Sequence, residues 1–167
     1  MASSKLFCPN SSAIGTRVVV DNVRADSYIG IHIQYSYDVV VKNSKIVSTD
    51  TNHYYGIRAY FYQNHEIKNN EISGYREGAR FEYIYQGLEF EDNYVHNNTS
   101  YGVYTYYSGN TQARTNPMEF TRNRFVDNNY GMFKGDSSSS YGYAHHIKDN
   151  LFKSSSWDGI YANQYAR

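Results

Sequence analysis

The chain is short of the residues that usually staple or interrupt a small fold. Of 167 residues only one is cysteine, Cys8, and two are proline. A single thiol closes no intrachain disulfide and, without Cys/His pairs at ligand spacing among the histidines, builds no zinc site. Scarce proline leaves extended segments free to pair along their whole length. Net charge is missing too: 16 basic residues balance 16 acidic ones, which removes the electrostatic drive towards nucleic acid or an anionic surface. No apolar run approaches the length needed for membrane insertion. The N-terminal stretch has no apolar core, so no secretory signal is visible. Neither a metal nor an organic cofactor is expected.

What is present is tyrosine, 20 residues of it. Tyr favours half-exposed strands, where a ring packs and a phenol tip stays wet. Aromatic richness with little proline is also the reverse of a disordered composition, despite the many polar residues.

Two short blocks alternate along the chain. The first is apolar-x-x-Asn-x-apolar: IKNNEI at 67–72, FEDNYV at 90–95, FTRNRF at 120–125 and IKDNLF at 147–152. VKNSKI at 41–46 carries Ser at the Asn position, and VDNVRA at 20–25 is a degenerate copy. The second is a Gly-led alternating strand starting at Gly30, Gly56, Gly78, Gly102, Gly131 and Gly159. Short alternating strands at a period of 20–30 residues, with no helical periodicity between them, predict an all-β solenoid of about six coils. Parallel stacking at about 4.8 Å per coil gives a rod about 30 Å long. Asn70, Asn93, Asn123 and Asn150 are then positioned for an amide ladder, although each also suits a turn on its own. Inserted polar segments at 108–117 and 135–144 are expected to project from one corner and wall a groove. Asn97-Asn98-Thr99 matches a glycosylation acceptor, a pattern with many chance matches.

With these blocks the sequence resembles the right-handed parallel β-helix superfamily of pectate-lyase-like solenoids. The resemblance covers about residues 18–165 and leaves 1–17 as an N-terminal cap or tail before a domain over 18–167. It implies an extracellular or cell-surface protein that holds or processes an extended polysaccharide, with lyases, epimerases, hydrolases, tailspikes and adhesins all in the group. No polar capping segment follows the last Gly-led strand, which favours a fragment, or end-to-end or lateral self-association of a structural module.

In the Gly-led strands the period of two turns Ile31, Ile33, Ile57, Ala59, Phe61, Ala79, Phe81, Val103 and Ile160 inward. It turns outward His32, Gln34 and Ser36; Arg58, Tyr60 and Tyr62; Arg80 and Glu82; Tyr104 and Tyr106; Phe133; Tyr161 and Asn163. Stacked in register, these form two ladders: His32–Arg58–Arg80–Tyr104–Phe133–Tyr161 and Gln34–Tyr60–Glu82–Tyr106. Rings, phenols and guanidinium forks suit an extended glycan, including one with uronate carboxylates. The same residues also make an ordinary solvated strand face. For lyase or epimerase chemistry Arg58 or Arg80 would neutralise a carboxylate while Tyr60, Tyr106 or His32 exchanges protons. Gln34, Tyr62, Glu82, Tyr104, Phe133, Tyr161 and Asn163 would line the substrate path. After Gly56-Ile57 stands Arg-Ala-Tyr, where the β-helical mannuronan epimerases that the strand starts resemble carry Asp-Pro-His-Asp. Hydrolysis needs two carboxyl groups facing one bond, and the outer set contains only Glu82.

Overall fold

The computed structural model describes residues 17–50, 52–62, 64–84, 87–106, 117–135 and 145–163. Residues 1–16 of the expected cap, including Cys8, lie outside them, as do Tyr107, the bodies of the two inserted segments, and the side chains of Tyr62 and Asn163.

The first sheet stacks β1 (Val18–Asp21), β4 (Val39–Lys42), β7 (His65–Lys68), β10 (Leu88–Glu91), β13 (Met118–Thr121) and β16 (His145–Lys148). The second stacks β2 (Arg24–Ala25), β5 (Lys45–Val47), β8 (Glu71–Ser73), β11 (Tyr94–His96), β14 (Arg124–Val126) and β17 (Leu151–Lys153). The third stacks β3 (Ile29–Gln34), β6 (Tyr55–Tyr62), β9 (Glu77–Ile84), β12 (Tyr101–Tyr106), β15 (Tyr130–Gly135) and β18 (Ile160–Asn163). Every pairing is parallel, and each coil gives one strand to each sheet. The described residues form a parallel β-helix of six coils.

The repeat blocks follow from this geometry. In apolar-x-x-Asn-x-apolar the first apolar residue points in from the first sheet and the last from the second. Ile67 and Ile72, or Phe90 and Val95, are therefore both fully buried, with the bend between them. The residue before the Asn takes a left-handed conformation: φ is 52° at Asn43, 55° at Asn69, 53° at Asp92 and 55° at Arg122. Asn and Asp adopt that region at little cost. The amide ladder is formed at this bend. Asn70 Nδ2 donates to Asn93 Oδ1 at 3.0 Å, Asn93 Nδ2 to Asn123 Oδ1 at 3.1 Å, and Asn123 Nδ2 to Asn150 Oδ1 at 2.9 Å. Backbone amides join it, Asn93 N reaching Asn123 Oδ1 at 3.0 Å. Ser44 stands in the same column, its N donating to Asn70 Oδ1 at 3.0 Å.

A second ladder, unforeseen from the repeats, occupies the bend into the third sheet. Tyr75 N donates to Asn98 Oδ1 at 3.2 Å, and Asn98 Nδ2 to Asn128 Oδ1 at 2.9 Å. The glycines that follow sit where no side chain fits. A Cβ on Gly78 would lie 2.6 Å from Gly102 O and 2.9 Å from Val95 Cγ1, and one on Gly56 2.5 Å from Gly78 O.

Most of the expected inner set is inside: Ile33, Ile57, Ala59, Ala79, Phe81 and Val103 have no exposed surface. Three positions differ. Phe61 is half-buried on the outside, Ser36 is buried, and Ile160 is 45% exposed on the last described coil. A single left-handed residue breaks the alternation, with φ of 51° at Tyr35, 64° at Phe61 and 55° at Tyr83. These three rings stack as an outer column, Tyr35 on Phe61 at 5.3 Å and Phe61 on Tyr83 at 4.9 Å. The next residue then turns inward, as Ser36 and Ile84 do.

Candidate functional site

The three outer faces differ in chemistry. On the first sheet Lys68 pairs with Glu66, Glu89 and Glu91, and Arg122 pairs with Asp92 and Glu91. On the second, Lys45 pairs with Glu71, and Arg124 lies over Tyr94. The charges on these two faces lie at or near the surface and are paired mostly with their neighbours, an arrangement that contributes little to stability. The third sheet carries most of the outward aromatic side chains.

There the register pairs His32 with Arg58, Arg58 with Arg80, Arg80 with Tyr104, Tyr104 with Phe133, and Phe133 with Tyr161. The companion ladder runs Gln34, Tyr60, Glu82, Tyr106, Gly135 and Asn163. Five steps at about 4.8 Å make a strip about 24 Å long. Its second half is a ring stack. Tyr104 lies on Phe133 at 5.1 Å with planes 5° apart, and Phe133 on Tyr161 at 4.9 Å and 18°. Because the faces cover one another, the strip presents ring edges and hydroxyls along its length.

The first half holds an ion network. Arg58 Nε and Nη2 donate to Glu82 Oε2 at 3.1 and 2.8 Å. Arg80 Nη2 donates to Glu82 Oε1 at 3.1 Å, while its Nη1 donates to both oxygens of Glu77 at 3.0 and 3.1 Å. Glu82 thus bridges the two arginines whose like charges stack in the ladder. The guanidiniums also lie over rings, Arg80 on Tyr104 at 4.5 Å and Arg58 on Tyr55 at 5.3 Å. Burial raises the Glu77 carboxyl above the ordinary range against the pull of Arg80. Burial also opposes the charge on Arg80, but Glu77 and Glu82 outweigh it and hold its pKa above the usual value. Burial likewise raises the phenols of Tyr55 and Tyr104.

A family model described as the right-handed beta helix region matches residues 5–167. The chain belongs to this right-handed β-helix family. No curated protein and no solved structure matches it.

On this β-helix the candidate residues fall into three groups. His32, Arg58, Arg80, Tyr104, Phe133 and Tyr161 lie in one ladder; Gln34, Tyr60, Glu82 and Tyr106 lie beside it; Tyr62 and Asn163 are placed only by their backbone. Sequence reasoning missed Glu77, and with it a second carboxylate on this face. The residue before each glycine is tyrosine in three coils, and Glu77 replaces it in the coil whose strand carries Arg80. That substitution was the available signal. Two carboxylates do not make this a hydrolytic pair, because both are bound to guanidiniums and the Glu77 side chain is only 4% exposed. His145 and His146 point to opposite faces of β16, half-buried and exposed, so they do not converge on one ligand. A shallow groove lined by Arg24, Asp26 and Lys45 is on the second sheet, away from the strip.

Proposed function

We propose that the protein binds an extended glycan along the outer face of the third sheet. The observation that carries this reading is the pair of in-register ladders, an aromatic and amide strip about 24 Å long on one face of a rod. A linear polymer can follow such a strip, with phenol and amide groups along it to meet its hydroxyls. An extracellular or cell-surface setting goes with this reading. Lyase or epimerase chemistry needs a cation ready for a substrate carboxylate, whereas Arg58 and Arg80 already hold Glu82 and Glu77. Binding is therefore the reading with most support.

Affinity electrophoresis through gels containing a panel of extended polysaccharides tests it. Retention of the wild type, reduced at least about 10-fold in apparent affinity by Tyr104→Ala (about 1.4 kcal/mol) and unchanged by Glu119→Ala on the first sheet, is expected. Absence of retention on every polysaccharide refutes it.

A second reading, a structural module that associates with other chains, draws on the exposed apolar side chains of the last described coil. Leu151 is 47% exposed, Trp157 69% and Ile160 45%. Light scattering at rising concentration separates the two, because association requires a mass that grows with concentration and falls in Trp157→Ser.

A further inference from the structure

We infer that the glycan taken by this face is uncharged, and that polyuronates are excluded. The inference rests on the glycan reading above and adds the substrate class. Arginines on an aromatic strip suggest, from sequence, a grip on uronate carboxylates. The geometry assigns them another task. The Nε–Nη2 edge of Arg58 is taken by one oxygen of Glu82, and both terminal nitrogens of Arg80 by Glu77 and Glu82. Arg80 Nε is buried. Both terminal nitrogens of Arg80 and the Nε–Nη2 edge of Arg58, the sides that would grip a substrate carboxylate, are thus engaged from within the chain.

Two guanidiniums and two carboxylates leave the network formally neutral. The carboxylates are the deeper partners, with side chains 10% exposed at Glu82 and 4% at Glu77 against 29% for Arg58. For a uronate to displace either one, a buried negative charge would have to remain in place without its partner, beside the incoming charge. Neutral hydroxyls meet no such obstacle. They exchange hydrogen bonds with Gln34 and the phenols while the network stays closed, and the network holds Tyr55 and Tyr104 in position through the guanidinium planes.

The test uses affinity electrophoresis of the whole chain against neutral β-glucan and galactomannan, and against polygalacturonate and alginate, at 20 and 300 mM salt. Retention by a neutral glycan at both salt levels, with none by uronans, is the expected result. Salt-sensitive retention by uronans that is lost in Arg58→Ala overturns the inference and leaves the glycan reading standing. Retention by nothing overturns both. Glu82→Gln, which frees both arginines of their shared carboxylate, is expected to raise retention on polygalacturonate at 20 mM salt by 10-fold or more. A folded Glu82→Gln protein, by circular dichroism, that gains none also overturns it. Should that variant not fold, the wild-type salt series still decides.

Discussion

Acidification will destabilise the β-helix through one core residue, His65. Its side chain has no exposed surface, and neither ring nitrogen has a hydrogen-bond partner among the described residues. It points inward from β7, opposite Leu88 in the next coil. Burial lowers its pKa from 6.5 to about 4. The unfolded chain takes up a proton as pH falls through 6.5, and the folded chain does not until about 4. Stability is therefore full above pH 6.5, lost progressively between 6.5 and about 4, and flat in this contribution below that. At about 1.4 kcal/mol per decade the complete loss is about 3 kcal/mol, of which about 2 kcal/mol is gone at pH 5. His65→Leu removes the titration and repeats the residue already accommodated opposite. It also removes an unsatisfied polar group whose burial costs about 1–3 kcal/mol. Urea denaturation of both proteins at pH 7.5, 6, 5 and 4.5 is the assay. The gap between their midpoints should widen steadily as pH falls, while carboxylate titrations common to both cancel. A constant gap would refute the reasoning, since the imidazole would then be protonated or solvated in the folded rod.

Other perturbations test the ladders and the network. Asn93→Ala strips partners from Asn70 N, Asn70 Nδ2 and Ile67 O at once, and should cost about 3 kcal/mol by denaturant midpoint. Asn93→Ser should cost less, because Ser44 already serves in this column. Gly78→Ala drives a Cβ against backbone at 2.6 Å and should lower stability by about 3 kcal/mol or abolish folding. A wild-type melting temperature would show that the coils can part there. Arg80→Met strands the buried Glu77 and should cost about 3–5 kcal/mol at pH 7, easing in acid as Glu77 takes up a proton. Arg58→Met leaves Glu82 bonded to Arg80 and should cost about 1 kcal/mol or less, measured in the same melts.

The fold was legible because a solenoid writes its geometry as a period. Two blocks in strict alternation determine which residues share a column, and the ladders Arg58–Arg80–Tyr104 and Tyr60–Glu82–Tyr106 follow from counting out from each glycine. Counting fails where the backbone leaves the extended region. Nothing in GIHIQYSY or GIRAYFYQ announces that the sixth residue is left-handed, since Tyr and Phe adopt that conformation at a cost. The stacking of Tyr35, Phe61 and Tyr83 on one another accompanies that strain, and it exists only between coils. The second asparagine ladder was hidden for a related reason. Asn98 and Asn128 stand at different distances from their glycines, and the earlier coil places Tyr75 in the column.

The site was legible as a list of side chains and illegible as a charge distribution. Residue types along a strand tell which groups share a face, but the sign of the field they create depends on neighbours one coil away and three residues back. Arg58 and Arg80 read in isolation make a cationic strip. Glu82 bonded to both, and Glu77 entering from the position that holds tyrosine in other coils, turn the same strip neutral. That change removes the reason to expect a uronate ligand without moving a single predicted ladder residue. In a parallel stack every outward charge has two axial neighbours about 4.8 Å away, so like charges in one column demand a counter-charge in the adjacent one. A column of arginines on a β-helix is therefore evidence first of the acids that hold it, and a carboxylate ligand becomes the stronger inference only where those acids are absent.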